Sequence, residues 1–341
     1  MKRKVILITG AAGLLGANFS RHLLQKGYVV VGIDDLSGGY QDFLPEHKNF
    51  YFFPTNLEKD ESVVASIFDR FKPQAVFHFA AYAAEGLSPF IRVYNYNNNV
   101  VASAVIINEC IKHDAKLIFT SSMAVYGKQK PPFTEAMKQD PIDPYGIAKY
   151  AVELDIQQAS EQFGLKYNIV RPHNVLGIYQ NIWDRYRNVI GIFIRRAING
   201  EPLIIYGDGE QTRAFSDIDY YMEPMEMLIG EHEGTPKFKT ENEIFNIGAD
   251  KYFSLNEVAD LVVETALKHN IKASIVHDEP RHEAKHAFCD HSKAKAILNF
   301  KDETNLQKLV EKMFDWAIKE KQREVKTINY EVEKGIYKYW K

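Results

Sequence analysis

Tyr145 and Lys149 stand four residues apart in Tyr145-Gly146-Ile147-Ala148-Lys149. On a helix that spacing puts both side chains on one face. A free phenol, with a pKa of about 10, is a poor base near neutrality. A neighbouring ammonium stabilises the phenolate and draws that pKa down. Such a pair can take the proton from a sugar hydroxyl while the carbon beneath gives up hydride to an acceptor. Upstream, Phe119-Thr120-Ser121-Ser122-Met123-Ala124-Val125-Tyr126-Gly127 places serines at a strand end, where a hydroxyl can bond the same substrate oxygen. Y-x-x-x-K is common by chance, so the pair acquires meaning from what surrounds it.

A second chemical feature lies at the start of the chain. Thr9-Gly10-Ala11-Ala12-Gly13-Leu14-Leu15-Gly16 follows the apolar run Val5-Ile6-Leu7-Ile8 and precedes a helical pattern over Leu14–Gln25. Glycines there let the backbone turn sharply and let a diphosphate approach the helix N-terminus. Gly10, Gly13, Leu14, Leu15 and Gly16 are therefore the candidate diphosphate contacts. Asp34, 18 residues after Gly16, ends a second strand, Tyr28–Ile33. An acid at that place accepts from an adenosine ribose and repels a 2′-phosphate, which favours NAD over NADP. Asp35 is an alternative for the same role.

These groups need a scaffold that brings strand ends together. Strand patterns recur at Ala75–Ala80, Leu117–Thr120 and Tyr167–Val170, with helical patterns at Glu61–Phe71, Val100–His113 and Tyr145–Phe163. Such alternation predicts an α/β, Rossmann-type doubly wound parallel sheet, whose ligands bind at the carboxyl strand ends. The second half is less regular: a helix over Val189–Asn199, a strand over Leu203–Tyr206, and helices over Leu255–His269 and Asn305–Lys319. It predicts a smaller α/β substrate-binding region. The expected division is a cofactor domain over 1–175, joined again by part of 215–250, a substrate region over 176–320 and a tail over 321–341. The tail, rich in aromatic residues, is expected on the surface or at a subunit contact.

Composition narrows the partners. Of 341 residues, 42 are Lys or Arg and 45 Asp or Glu, a net charge of −3. That is unlike a protein built to hold nucleic acid. The two cysteines, Cys110 and Cys289, give no disulfide framework and suit a reducing compartment, the cytoplasm. No apolar stretch is long enough to cross a bilayer, so no membrane partner is expected. His277, His282, His286 and His291 crowd one segment, but their spacing matches no metal motif and no metal is expected.

Together these motifs resemble the extended short-chain dehydrogenase/reductase family, in particular its nucleotide-sugar epimerases and dehydratases of the UDP-glucose 4-epimerase type. The resemblance runs from the glycine loop to about Phe300. It implies Ser122, Tyr145 and Lys149 as the catalytic triad, NAD as cofactor, and a nucleotide-diphosphate sugar as substrate. Through it, Phe79, Ala80 and Ala81 in His78-Phe79-Ala80-Ala81 line the cofactor, and Asn98 or Asn99 is the structural asparagine. Asn174, in Arg171-Pro172-His173-Asn174-Val175, and Arg213, in Tyr206-Gly207-Asp208-Gly209-Glu210-Gln211-Thr212-Arg213, touch the substrate diphosphate, with Arg281 as a second phosphate-binding arginine. Asn56 and Leu57 are implied as cofactor contacts, although the family often has an aspartate on adenine there, and Ala83 stands where galactose epimerases carry a lysine near the cofactor phosphates. Asp184-Arg185-Tyr186-Arg187 reads as a charged insertion, a solvated loop in preference to a ligand contact. The resemblance also implies a homodimer through the helix of Tyr145 and the one before it, with Val101, Val105, Ile107 and Ile111 as the contact face.

Met123 and Ala124 stand where the sugar 4,6-dehydratases carry an Asp-Glu pair, where UDP-glucuronate decarboxylases carry a glutamate, and where GDP-mannose 3,5-epimerases carry a cysteine. Neither Met nor Ala transfers protons. What is left is hydride and hydroxyl-proton transfer, the chemistry of a 4-epimerase. A net dehydrogenase or reductase is the alternative, and a 4,6-dehydratase or a non-catalytic NAD-binding regulator stands further off.

Overall fold

The computed structural model describes residues 4–230, 241–280, 285–337 and 340. In chain order the first half holds β1 (Val5–Thr9), α1 (Leu14–Gln25), β2 (Val29–Asp34), β3 (Phe50–Pro54), α2 (Glu61–Phe71), β4 (Ala75–His78), α3 (Arg92–Tyr96), α4 (Ala102–Lys112), β5 (Lys116–Thr120), α5 (Pro144–Phe163) and β6 (Tyr167–Pro172). The second half holds β7 (Val175–Leu176), α6 (Val189–Ile198), β8 (Leu203–Tyr206), β9 (Thr212–Ala214), β10 (Ser216–Asp217), α7 (Met222–Met227) and β11 (Glu243–Ile247). After these come β12 (Tyr252–Ser254), α8 (Leu255–Lys268), β13 (Ile275–Asp278), β14 (His286–Ala287), α9 (Ser292–Ile297) and α10 (Leu306–Ala317).

Seven strands form one parallel sheet in the order β11-β6-β5-β4-β1-β2-β3. The chain winds outward from β1 to β3, then returns to β4 on the other side of β1. That reversal leaves a crevice at the carboxyl ends of β1 and β4, where the fold binds ligands. The aliphatic central strands are buried on both faces, as a parallel sheet between helices requires. One face packs on α1 through Phe19, Leu23, Ile8 and Phe77. The other packs on α2, α4 and α5 through Val64, Phe68, Ile106, Val152 and Ile156. A separate core joins α6, α8 and α10 through Phe193, Val262 and Phe314.

Two strands of this sheet escape the sequence patterns. β3 is an edge strand of aromatic residues, with Tyr51 41% exposed, so it lacks the aliphatic run of its neighbours. β11 joins the sheet beside β6 from far along the chain, and its apolar residues are interrupted by the buried Asn246. The strand expected over Ala75–Ala80 stops at His78, because the Ala80 N–H turns out of the ladder to donate to Thr9 Oγ1 at 3.2 Å. Among the described residues no helix is long and apolar enough to cross a membrane.

Candidate active site

The glycine loop leaves β1 and enters α1 under tight constraint. Gly10 has φ +68°, and a Cβ there would lie 2.7 Å from the Ala80 nitrogen. A Cβ on Gly16 would lie 2.1 Å from the Gly10 oxygen, so Gly16 serves loop-to-helix packing and, unlike Gly10 and Gly13, is not on the cleft wall. Gly13 caps α1 without a side-chain hydrogen bond, and the first turn holds no acidic residue. The amides that open α1, at Leu14 and Leu15, therefore face the cleft with the helix dipole behind them and no internal acceptor. That arrangement suits an anionic diphosphate.

At the end of β2, Asp34 is 9% exposed. Its Oδ2 accepts from the Ala12 amide at 2.9 Å and its Oδ1 from the Leu36 amide at 2.7 Å. Burial raises its pKa, and those two amide bonds work against the rise. Asp34 thus ties the glycine loop to the loop after β2. Asp35 is exposed on the same wall and accepts from Asn56 Nδ2 at 2.9 Å, with Leu57 alongside. Asp35 is the more open of the two acids.

The β4 end is fixed by a chain of hydrogen bonds. Thr9 Oγ1 already accepts from Ala80, so its hydroxyl donates to His78 Nδ1 at 2.7 Å. His78 Nε2–H then donates to Ser103 Oγ at 2.9 Å, and Ser103 donates to the Asn99 carbonyl at 2.8 Å. Burial first, and the Lys149 charge second, push the His78 pKa down to about 3, in keeping with a neutral ring. Phe79, Ala80, Ala81 and Asn98 line the cleft. Of the two asparagines Asn99 is the buried one: it is 1% exposed and bonds both the carbonyl and the amide of Tyr82 at 3.2 Å.

The catalytic candidates meet where β5 and α5 converge. Asp143 caps α5 by accepting from the Gly146 amide at 2.9 Å, and Pro144 opens its first turn. Gly146 lets α5 approach the Ser122–Tyr126 turn, since a Cβ there would lie 2.7 Å from the Ala124 oxygen. The Ser122 hydroxyl and the Tyr145 phenol are thereby brought to the same part of the cleft, near enough for the hydroxyl to favour the phenolate. Lys149 Nζ donates to the Thr120 carbonyl at 2.8 Å and lies 5.9 Å from the centre of the Tyr145 ring. Tyr145 is 6% exposed and Lys149 2%. Burial raises the Tyr145 pKa, with the Glu85 charge adding to it, while the Ser122 hydroxyl pulls it down. Burial pushes Lys149 down to about 7, against the raising effect of Glu153 one turn along. Charge is costly here on either residue alone, whereas passing the Tyr145 proton to Lys149 makes two opposite charges that stabilise each other.

This burial has a thermodynamic consequence. Lys149 binds its proton at 10.5 in the unfolded chain and at about 7 in the fold. Between those values the unfolded chain holds more protons, so wild-type stability rises with pH across that window. Lys149→Met lacks this dependence. Its melting temperature is expected to exceed wild type at pH 7 by a margin that shrinks toward pH 10, as thermal melts across that range would show.

Asn174, Arg213, Arg185, Arg187, Arg195 and Arg196 line the same cavity of about 760 Å³ as the glycine loop. Asn174 Nδ2 donates to the Ala214 carbonyl at 2.9 Å, and Arg213 Nη1 to the Thr212 carbonyl at 2.9 Å. Arg281 lies outside the described residues. The crowded histidines disperse: His277 bonds the Gly207 carbonyl, His286 bonds Thr212, His291 pairs with buried His173, and His282 is outside the described residues.

The Asp184–Arg187 segment is no solvated loop. Asp184 is 4% exposed and accepts from Arg187 Nε at 3.0 Å, and Tyr186 packs edge-on against Trp340. The tail covers it: Ile336 and Trp340 join Tyr82, Leu87 and Ile91 in one apolar cluster, and Trp340 lines the cleft. The sequence reading passed over Glu85, Trp340 and the inward placement of Arg187. The signal for Glu85 was a charge breaking the small apolar residues that follow a strand end.

A family model for the NAD dependent epimerase/dehydratase family matches residues 6–248. A UDP-glucose 4-epimerase of Halalkalibacterium halodurans is 29% identical over 91% of this chain and 95% of its own. A UDP-glucose 4-epimerase of Thermotoga maritima, solved with UDP-glucose, superposes with a TM-score of 0.84 at 30% identity, covering 92% of this chain and 99% of that one. A UDP-glucuronic acid 4-epimerase of Bacillus cereus, solved with UDP-glucuronic acid and NAD, gives 0.81 at 25%, covering 92% and 98%. The cleft fits NAD on its own features. The bare α1 N-terminus, the acids closing β2 and the buried Thr120 and Ser121 hydroxyls without partners all line it. This chain is a member of the NAD dependent epimerase/dehydratase family, an enzyme that uses NAD.

Proposed function

We propose that the protein is a nucleotide-sugar 4-epimerase. What carries the reading is an assembled Ser122, Tyr145 and Lys149 beside Met123 and Ala124, neither of which transfers a proton. NAD, when bound, supplies the acceptor and the returning source of hydride at C4. Ser122 holds the C4 oxygen and Tyr145 takes its proton, with Lys149 stabilising the phenolate. The 4-keto sugar turns within the cleft, and Tyr145 returns the proton to the new alcohol. Asn174 and Arg213, with Arg281, are the residues we assign to the substrate diphosphate. Residues 1–175 with part of 215–250 form the cofactor unit in this reading, and 176–320 the substrate unit.

A panel of UDP-, GDP-, CDP- and dTDP-sugars, incubated without added oxidant and resolved by NMR, tests the proposal and identifies sugar and base. A product epimeric at C4 supports it. NADH accumulating at 340 nm with a released keto sugar favours the net dehydrogenase.

A homodimer through α5 and the segment before α4 is part of this reading, with only Val101 kept from the four residues expected at the contact. Val105 and Ile107 are 8% and 3% exposed, and Ile111 packs with them on the protein's own sheet. The outward apolar residues are instead Val93, Val101, Ile147 and Leu154, all more than 40% exposed, with Ile147 and Leu154 two turns apart on α5. Light scattering at micromolar concentration is expected to give twice the chain mass, and Leu154→Lys to lower it to that of a single chain.

A further inference from the structure

From the cleft geometry we infer that Arg187 is the cation that closes over the diphosphate of NAD. The glycine loop carries no Lys or Arg between Gly10 and Gly16, and Ala83 offers no charge from the β4 side. Helix amides alone would then face a dianion. Arg187 lines the same cleft as the glycine loop. Its Nη2 lies 3.0 Å from where a Cβ on Gly38 would be, and a Cβ on Gly39 would lie 2.3 Å from the Ala12 oxygen. Arg187 therefore sits over a two-glycine bridge that rests directly on the glycine loop.

Its surroundings hold it there. Nε donates to Asp184 Oδ2 at 3.0 Å, and the guanidinium lies 4.9 Å from the centre of the Tyr82 ring. Asp184 is itself buried and also accepts from the Tyr186 amide at 2.8 Å. From the tail, Lys326 Nζ donates to the Leu36 and Ser37 carbonyls at 3.1 and 2.8 Å and pins the adjoining loop. The two Nη groups donate to no described residue. A planar fork so held, with its outer donors beside the Gly38–Gly39 bridge that rests on the glycine loop, matches the oxygens of a diphosphate.

The inference rests on NAD binding and not on which sugar is turned over. Calorimetry on protein freed of nucleotide tests it, with ADP-ribose, adenosine and UDP as separate probes. Tight ADP-ribose binding by wild type first checks that the cleft takes the cofactor. Arg187→Ala is then expected to weaken ADP-ribose by 10- to 100-fold and leave adenosine and UDP within about twofold, with Arg187→Lys intermediate. Unchanged ADP-ribose affinity overturns the assignment. So does a loss confined to UDP, which would turn Arg187 toward the substrate, or an equal loss for adenosine, which would make its role structural.

Discussion

Tyr145→Phe is expected to lower kcat by about 10²–10⁴-fold, the usual worth of a positioned acid–base group. The phenol is the one group in this reading that removes and returns the hydroxyl proton, and the substitution deletes only that oxygen. The ring keeps its place in α5, so the fold and bound NAD are expected to persist. A melting curve and the nucleotide released on denaturation check both. A variant retaining more than about a tenth of wild-type kcat, a barrier change of only about 1.4 kcal/mol, would take the role away from Tyr145.

Arg171→Met is expected to cost about 3–5 kcal/mol of stability, the largest effect foreseen away from the catalytic groups. Arg171 and Glu153 are both fully buried and face each other fork to fork, Nε to Oε1 at 2.9 Å and Nη2 to Oε2 at 2.5 Å. Arg171 also donates to the Tyr126 hydroxyl at 2.8 Å, and Tyr126 donates to Asn246 Oδ1 at 2.7 Å. This network ties β6 and α5 to the Ser122–Tyr126 turn and to β11. Removing the guanidinium strands a carboxylate in the core, one turn from Lys149. Adding Glu153→Leu removes that stranded charge and is expected to recover much of the loss, as denaturant titration of single and double variants would show.

The sequence made the candidate Tyr145–Lys149 pair and the glycine loop legible because their chemistry is local. Glycine spacing at a strand–helix junction, and a tyrosine and lysine one turn apart, keep their meaning without tertiary knowledge. The family resemblance added Ser122, Asn174 and Arg213, and all three lie on one cleft wall or another. What sequence could not show depends on long-range placement. Asp34 stands at the strand end as expected, yet its carboxylate also holds the glycine loop, a role set by where Ala12 lies. Asp184–Arg187 looks solvated because it is charged, but the tail packs over it from some 150 residues away. Asn246 breaks the apolar run of β11 because it answers Tyr126, another distant partner. Of the four residues expected at a subunit contact, Val105, Ile107 and Ile111 pack on the protein's own sheet, because an apolar stripe on a helix does not say whether sheet or subunit covers it, whereas Val101 faces outward.

Glu85 sharpens the central test. Its carboxylate lines the cleft and its charge reaches Tyr145, so an ionisable group does stand near the sugar end although positions 123 and 124 supply none. If hydride shuttling at C4 is the whole chemistry, no carbon acid is deprotonated. Turnover in deuterated water is then expected to yield the C4 epimer with no deuterium on C3, C4 or C5, no loss of water and no net NADH. Deuterium at C5, or a product 18 mass units lighter through loss of one water, would contradict the account and point to Glu85 as the acid–base group of a dehydration or a further epimerisation.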